Sequence, residues 1–323
     1  MKVYKDTGNL SIRNPVITIG VFDGLHRGHQ KLLELLIKKA VELGGESVVI
    51  TFWPHPRKVL GKEDKDFQFL TTLEEKEHLL SHWGINHLII LPFTMDFAKM
   101  RGRDFIRDIL VGQIGMKHLV IGDDHRFGHD REGGRKILSE MGQQYGFQFT
   151  SLPSCIDNQS RISSSLVRAA LKTGELEKAN NLLGFPYFMF GEVIEGNQFG
   201  RKIGFPTANI ACCGEHKQIP EEGVYVVKVD IENEQFGGML NIGTRPTVDN
   251  TMRKSIEVHI FDITRDLYGK RMKVSFLHRL RDEMKFNNTD ELRLQLERDR
   301  SNALVKLGEP DNQGKTKPLI DLT

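Results

Sequence analysis

A chain of 323 residues, 39% hydrophobic and 27% charged, is long enough for two domains that each bury a core. Its 45 Lys+Arg against 43 Asp+Glu leave a net charge of +2, which excludes charge-driven nucleic-acid binding and requires any affinity for phosphates to come from local sites. Cys155, Cys212 and Cys213 form neither a disulfide framework nor a C-x-x-C zinc pair, the first residues lack the apolar run of a secretory signal, and no stretch reaches the ~18 apolar residues of a membrane span, so a cytoplasmic protein with no membrane partner is expected.

The N-terminal half alternates strand-like and helix-like segments. Strands are expected over 16–22, 47–52, 87–91, 117–121 and 147–151, and helices over 28–43, 73–83, 97–110 and 135–145. Alternation with short links predicts an α/β doubly wound parallel sheet, which binds ligands at the C-terminal ends of its strands. After Leu183 short strands dominate, over 188–194, 223–231, 235–242, 255–261 and 271–280, as in a small closed β-barrel. A terminal helix over 289–307 places Leu292, Leu296, Ala303 and Leu304 on one face, Gly308 stops it, and 309–323 is a polar tail. The boundary is expected at Gly184-Phe185-Pro186, giving domains 1–184 and 185–308.

Four loops of the first half carry polar chemistry. Gly20-x-Phe22-Asp23-Gly24-x-His26-x-Gly28-His29 joins a strand to a helix. Glycines there allow close backbone approach to a phosphate, the helix N-terminus favours an anion, and histidines at i, i+3 can both face it. The bland alternative is a capped helix with two surface histidines. Thr51-Phe52-Trp53-Pro54-His55-Pro56 holds His55 between prolines that rule out helix. Ile121 to Gly128 follows the fourth strand. Arg161-Ile162-Ser163-Ser164-Ser165-Leu166-Val167-Arg168 opens a helix, either as a serine cap or, with Arg168, as a phosphate contact.

In the second half, Gly196 to Asn209 is a glycine-spaced loop containing Gly200, Arg201 and Gly204 and ending in Pro206-Thr207-Ala208-Asn209. It is not a Walker loop, since no G-K-[ST] follows. In extended chain Thr207 and Asn209 share a face, and two neutral oxygens there suit a Mg²⁺ ion that bridges phosphates. Over 255–262, Ile256, Val258 and Ile260 face one way and Glu257, His259 and Phe261 the other. Glu257 is a solvated outer-face residue or a carboxylate that accepts a hydroxyl proton.

From Val16 to Gly174 the chain resembles the nucleotidyltransferase module of prokaryotic bifunctional riboflavin kinase/FAD synthetases, through G-x-F-D-G-x-H-x-G-H, T-F-x-P-H-P and I-S-S-x-x-x-R. From Phe185 to Leu307 it resembles riboflavin kinase throughout. The resemblance implies a six-stranded flavokinase barrel, with riboflavin, FMN and ATP as substrates and Mg²⁺ as cofactor. It implies that Glu257 is the base, that Thr207 and Asn209 contact Mg-ATP, and that Gly200, Arg201 and Gly204 approach its phosphates. Arg281 and Phe286 are implied to close over the flavin. In the first half it implies His26 and His29 as catalytic groups, Gly20, Phe22, Gly28, Ser163, Ser164 and Arg168 as phosphate contacts, and His55 and Asp124 beside the flavin. His125 and Leu166 stand where the family has Phe and a basic residue, and Asp123 adds a negative charge. The alternatives are therefore a riboflavin kinase with a silent first half and, of another class, a flavin-binding regulatory protein.

Overall fold

The computed structural model describes all residues except 62–66, 124–127, 129–133, 154, 158–159, 197–198, 215, 247–251 and 309–323. The loop residues Asp124 and His125 and the tail therefore lie outside the described residues. The chain forms two compact units, one of Met1–Phe67 with Leu73–Ser163, the other of Gln68–Thr72 with 164–308 among the described residues.

In the first unit, β1 (Lys2–Tyr4), β2 (Val16–Ile19), β3 (Ser47–Trp53), β4 (His87–Pro92), β5 (His118–Gly122) and β6 (Gln148–Leu152) form one sheet in the order β1-β4-β3-β2-β5-β6. Every pairing is parallel. The central strands are continuous Val/Ile/Leu runs, and Val16, Ile17, Val48, Val49, Ile50, Leu88 and Ile89 are fully buried, as expected when helices cover both faces. β1 is an edge strand of three residues, too short and polar to show a period. From β2 the chain steps to β3 on one side and later returns to β5 on the other, so the strand order reverses beside β2. A crevice for a ligand opens at such a point, beyond the strand C-termini.

The helices are α1 (Arg27–Glu42), α2 (Pro56–Val59), α3 (Leu73–His82), α4 (Gly102–Asp104), which runs on as a wider-turned helix over Phe105–Gln113, and α5 (Arg135–Tyr145). Two expectations change. Pro56 does not forbid helix after His55; it starts α2, where a missing N–H costs nothing. The helix expected over 97–110 is broken at Met100–Arg101 by extended backbone, which lets Phe97 and Phe105 meet with ring centres 5.9 Å apart. A small hairpin, β7 (Ile156–Asp157) and β8 (Ser160–Arg161), follows β6.

The second unit opens with α6 (Ser164–Lys172) and α7 (Leu176–Leu183). Asn180, 1% exposed, fastens α7 to the barrel: its Nδ2 donates to the Phe276 carbonyl at 2.9 Å and its Oδ1 accepts from Tyr187 N at 2.7 Å. The barrel strands are β9 (Phe188–Ile194), β10 (Ala208–Cys212), β11 (Gly223–Ile231), β12 (Glu234–Pro246), β13 (Met252–Ile260) and β14 (Arg271–Arg281), closed in the order β10-β13-β12-β11-β14-β9. Closure leaves no strand edge exposed. A short helix, α8 (Phe199–Lys202), lies between β9 and β10. The terminal helix α9 (Thr289–Gly308) packs on the outside, where Leu296, Ala303 and Leu307 meet Phe205, Val226, Met239, Phe261 and Leu277. Leu304, expected on this face, is 42% exposed, because the buried stripe runs through Asp299 and Ala303 to Leu307 at four-residue steps.

Candidate active sites

The loop after β2 is strained and anchored. Phe22, Gly24 and Leu25 have φ of 50°, 79° and 44°, and the two apolar side chains are 1% and 0% exposed. Left-handed backbone at non-glycine residues persists only where packing enforces it. This loop delivers His26 as the N-cap of α1, its Nδ1 accepting from His29 N at 3.3 Å. The two rings stack with centres 3.7 Å apart and planes 15° apart, and Phe22 meets His29 edge-on at 5.2 Å. Gly28 makes room: a Cβ there would lie 3.2 Å from the His26 ring. Burial first, then the fields of His26, Lys76 and Arg161, hold the His29 pKa well below the ordinary imidazole value. His29 is thus neutral at pH 7, and its buried Nδ1 has no hydrogen-bond partner within the described structure. A neutral imidazole with an unmet polar atom at a helix N-terminus is suited to a polar, anionic ligand.

The other predicted residues of the first half are placed as follows. Gly20 lies against the Phe22 ring, 3.1 Å from where its Cβ would sit. His55 is 8% exposed and caps α2, its Nδ1 accepting from Arg57 N at 3.1 Å. Ser163 ends the first unit, while Ser164 and Arg168 belong to α6 of the second, where Arg168 Nε donates to the Gln68 carbonyl at 2.8 Å. Asp123 is not an isolated negative charge: Arg135 approaches it at 2.5 Å and holds its pKa below the usual carboxylate value.

In the barrel, alternation along β13 sends Ile256, Val258 and Ile260 into the core and leaves Glu257 and His259 half-buried on the outer face. Asn209 and Asn241 are the cross-strand neighbours of Glu257, on the same face. Thr207, two residues before Asn209, donates from Oγ1 to Glu257 Oε2 at 3.3 Å. The structure therefore brings Thr207, Asn209 and Glu257 together. Gly196 is the floor of this group, since a Cβ there would fall 1.9 Å from Asn209 Nδ2. Gly200, Arg201 and Gly204 form α8 and the turn after it, closed by Phe205 N donating to the Gly200 carbonyl at 2.9 Å, and Arg201 is exposed.

Arg281 is engaged within the barrel unit. Its Nε and one terminal nitrogen reach Asp299 at 2.7–3.1 Å, and the other donates to the Asp282 carbonyl at 2.9 Å. Its guanidinium also lies 6.0 Å from the centre of the Phe286 ring.

Three site neighbours were not singled out from the sequence. Lys76 is 2% exposed beside the first site; its signal is a charge on the Leu79–Leu80 stripe of α3. His259 hydrogen-bonds through Nδ1 to the Pro206 carbonyl at 2.7 Å, which sets the segment bearing Thr207. Asp299 reads as a surface charge on a polar helix, and only packing shows it buried at 2% exposure.

A family model described as FAD synthetase matches residues 9–166, and one described as riboflavin kinase matches 183–307. Bifunctional riboflavin kinase/FMN adenylyltransferase of Escherichia coli K12 is 39% identical over 94% of this chain and 97% of its own length. The Bacillus subtilis protein of the same name is 37% identical over 90% of this chain and 91% of its own. A crystal structure of a Streptococcus pneumoniae protein described as a macrolide-efflux protein superposes with a TM-score of 0.85 at 31% identity, over 95% of this chain and 99% of that one. No described helix of this chain is long and apolar enough to cross a membrane. A parallel sheet with a histidine-capped loop at its switch point, a six-stranded barrel carrying the Thr207–Asn209–Glu257 group, and both family matches lead to one statement: this chain belongs to the bifunctional riboflavin kinase/FMN adenylyltransferase family.

Proposed function

We propose that this enzyme phosphorylates riboflavin to FMN in the barrel and adenylylates FMN to FAD at the sheet, taking ATP for both steps, in the cytoplasm. The observation that carries the reading is the convergence of Thr207, Asn209 and Glu257 on one outer face of the barrel. The functional division is taken at 1–184 and 185–308; the family matches end at 166 and begin at 183, and the compact units divide between Ser163 and Ser164, so α6 and α7 pack with the barrel.

The kinase step needs a carboxylate at the alcohol. Glu257 accepts the proton of the ribityl 5′-hydroxyl as that oxygen attacks the γ-phosphorus and ADP leaves. Both families act on ATP, for which a divalent cation is the usual companion. The residues here fit one, since Thr207 and Asn209 offer hard, neutral oxygens beside Glu257. They would hold a Mg²⁺ ion that arrives with ATP, whose contribution when bound is to offset phosphate charge. Gly200, Arg201 and Gly204 approach the phosphates. Arg281 fixes α9 beside Phe286, and the two border the flavin.

In the sheet, the FMN phosphate is already an anion and needs no strong base. His26, His29 and the α1 N-terminus stabilise charge on the α-phosphate as pyrophosphate departs. Gly20, Phe22 and Gly28 shape that loop. Ser163, Ser164 and Arg168 as phosphate contacts, and His55 beside FMN, rest on the family motifs.

Chromatography of flavins after incubation with riboflavin, ATP and Mg²⁺ tests the proposal, with FMN then FAD expected. Glu257→Gln should abolish FMN formation while FAD still forms from supplied FMN. A folded native chain that leaves riboflavin unchanged would overturn the reading.

A further inference from the structure

The nucleotide loop of the sheet unit has a buried cation behind it. Lys76 sits on the first turns of α3, on the stripe that also buries Leu79 and Leu80. A leucine or methionine there would bury apolar surface with no desolvation cost, whereas an ammonium withdrawn from water is expensive unless its charge is answered. Its surroundings lead to the loop. Lys76 Nζ donates to Thr51 Oγ1 at 3.2 Å, and that hydroxyl donates on to the Val21 carbonyl at 3.2 Å. Thr51 is fully buried near the C-terminal end of β3, and Val21 lies in the strained turn between β2 and α1. Among the described residues, the titratable groups coupled to Lys76 are Asp23 from that turn, 4% exposed, whose field favours the ammonium, and the neutral His29 from α1, whose imidazole feels the lysine. The fields of His26 and Arg161 also lower the His29 pKa. One nearby carboxylate does not offset burial: desolvation lowers the Lys76 pKa to about 8 despite Asp23. Among the described residues, Lys76 is thus a buried cation whose desolvation Asp23 does not fully offset, at the strand ends where the phosphates of ATP are proposed to lie.

We infer that Lys76 is a cationic phosphate-stabilising residue of adenylyl transfer, aimed by Thr51 and Asp23. The inference rests on the proposed second activity. In that step a bond forms between an FMN phosphate oxygen and the α-phosphorus, the bond from the α-phosphorus to the bridging oxygen breaks, and pyrophosphate leaves with the electron pair. The chain of contacts places Lys76 to offset the growing negative charge, with no proton transferred. His29 stays neutral beside it and serves as a hydrogen-bonding group.

The test uses the full chain with FMN, ATP and Mg²⁺, and compares native protein with Lys76→Met and Lys76→Arg. Removing one preorganised charge-stabilising group lowers the rate by at least about 100-fold. Lys76→Met should therefore show that loss in FAD formation, while riboflavin phosphorylation by the same preparation is unchanged. In the native protein, kcat/KM for FAD formation should fall as pH rises through about 8, where the free enzyme loses the ammonium proton. Lys76→Met should lack this alkaline fall, and Lys76→Arg should recover part of the rate and move the fall upward, since guanidinium keeps its charge. The inference is overturned if Lys76→Met makes FAD at the native rate, if both activities drop together, or if the native profile has no alkaline fall. A native chain that makes FMN but no FAD overturns the adenylyl-transfer reading itself, and this assignment with it.

Discussion

Arg281→Met isolates what holds the terminal helix on the barrel. Asp299 is 2% exposed and accepts from Arg281 through three contacts of 2.7–3.1 Å and from Gln295 Nε2 at 2.9 Å. Methionine keeps most of the aliphatic stem but strands the Asp299 carboxylate. Breaking a buried pair from one side costs about 3–5 kcal/mol. For a unit of this size that is a fall of roughly 10–20 °C in its melting temperature. The reverse deletion, Asp299→Leu, should cost less. Arg281 is 17% exposed and keeps its bond to the Asp282 carbonyl, so it can turn toward water. The double variant should be more stable than Arg281→Met alone, since both buried charges are then gone. Scanning calorimetry is the assay, because both tryptophans, Trp53 and Trp83, lie in the sheet unit and are blind to the barrel. An Arg281→Met protein within about 1 kcal/mol of native, the range of an exposed ion pair, would refute the reasoning.

Two further outcomes follow from single groups. Gly196→Ala puts a methyl where the Asn209 amide lies, 1.9 Å away at its ideal position, so the amide must retreat by more than an ångström. A displacement of that size costs about 100-fold in rate; riboflavin phosphorylation should fall accordingly, with FAD formation from supplied FMN intact, and an unchanged kinase rate would remove Asn209 from the site. Burial lowers the pKa values of His29, His87 and His118 below the reference 6.5, so the unfolded chain binds protons that the folded sheet unit refuses. Stability is fully present above about pH 6.5 and is lost as pH falls toward the folded values, at up to ~1.4 kcal/mol per pH unit for each histidine. Urea midpoints followed by tryptophan fluorescence should decline across that window, and His29→Gln should flatten the decline. A midpoint that does not move between pH 7 and pH 5 would show that these histidines are not held neutral.

Local sequence determined the elements and their chemistry. Val/Ile runs separated by amphipathic spacings specify buried parallel strands and covering helices, because the two periods suit only those geometries. The string from Gly196 to Asn209 and the loop from Gly20 to His29 also carry their meaning locally, as glycine spacing beside chemically active side chains. What the sequence left open are matters of distance between residues far apart in the chain. Glu257 read by itself more readily as a solvated outer-face charge than as a base, and the donation to it from Thr207, fifty positions earlier, is a contact only the fold provides. The edge strand β1 is too short for any period, and the break at Met100–Arg101 serves a ring contact that no local rule contains. Lys76 and Asp299 look like ordinary helix charges. Burial alone makes them costly, and burial is a property of what packs on top of a residue, which only the tertiary structure decides.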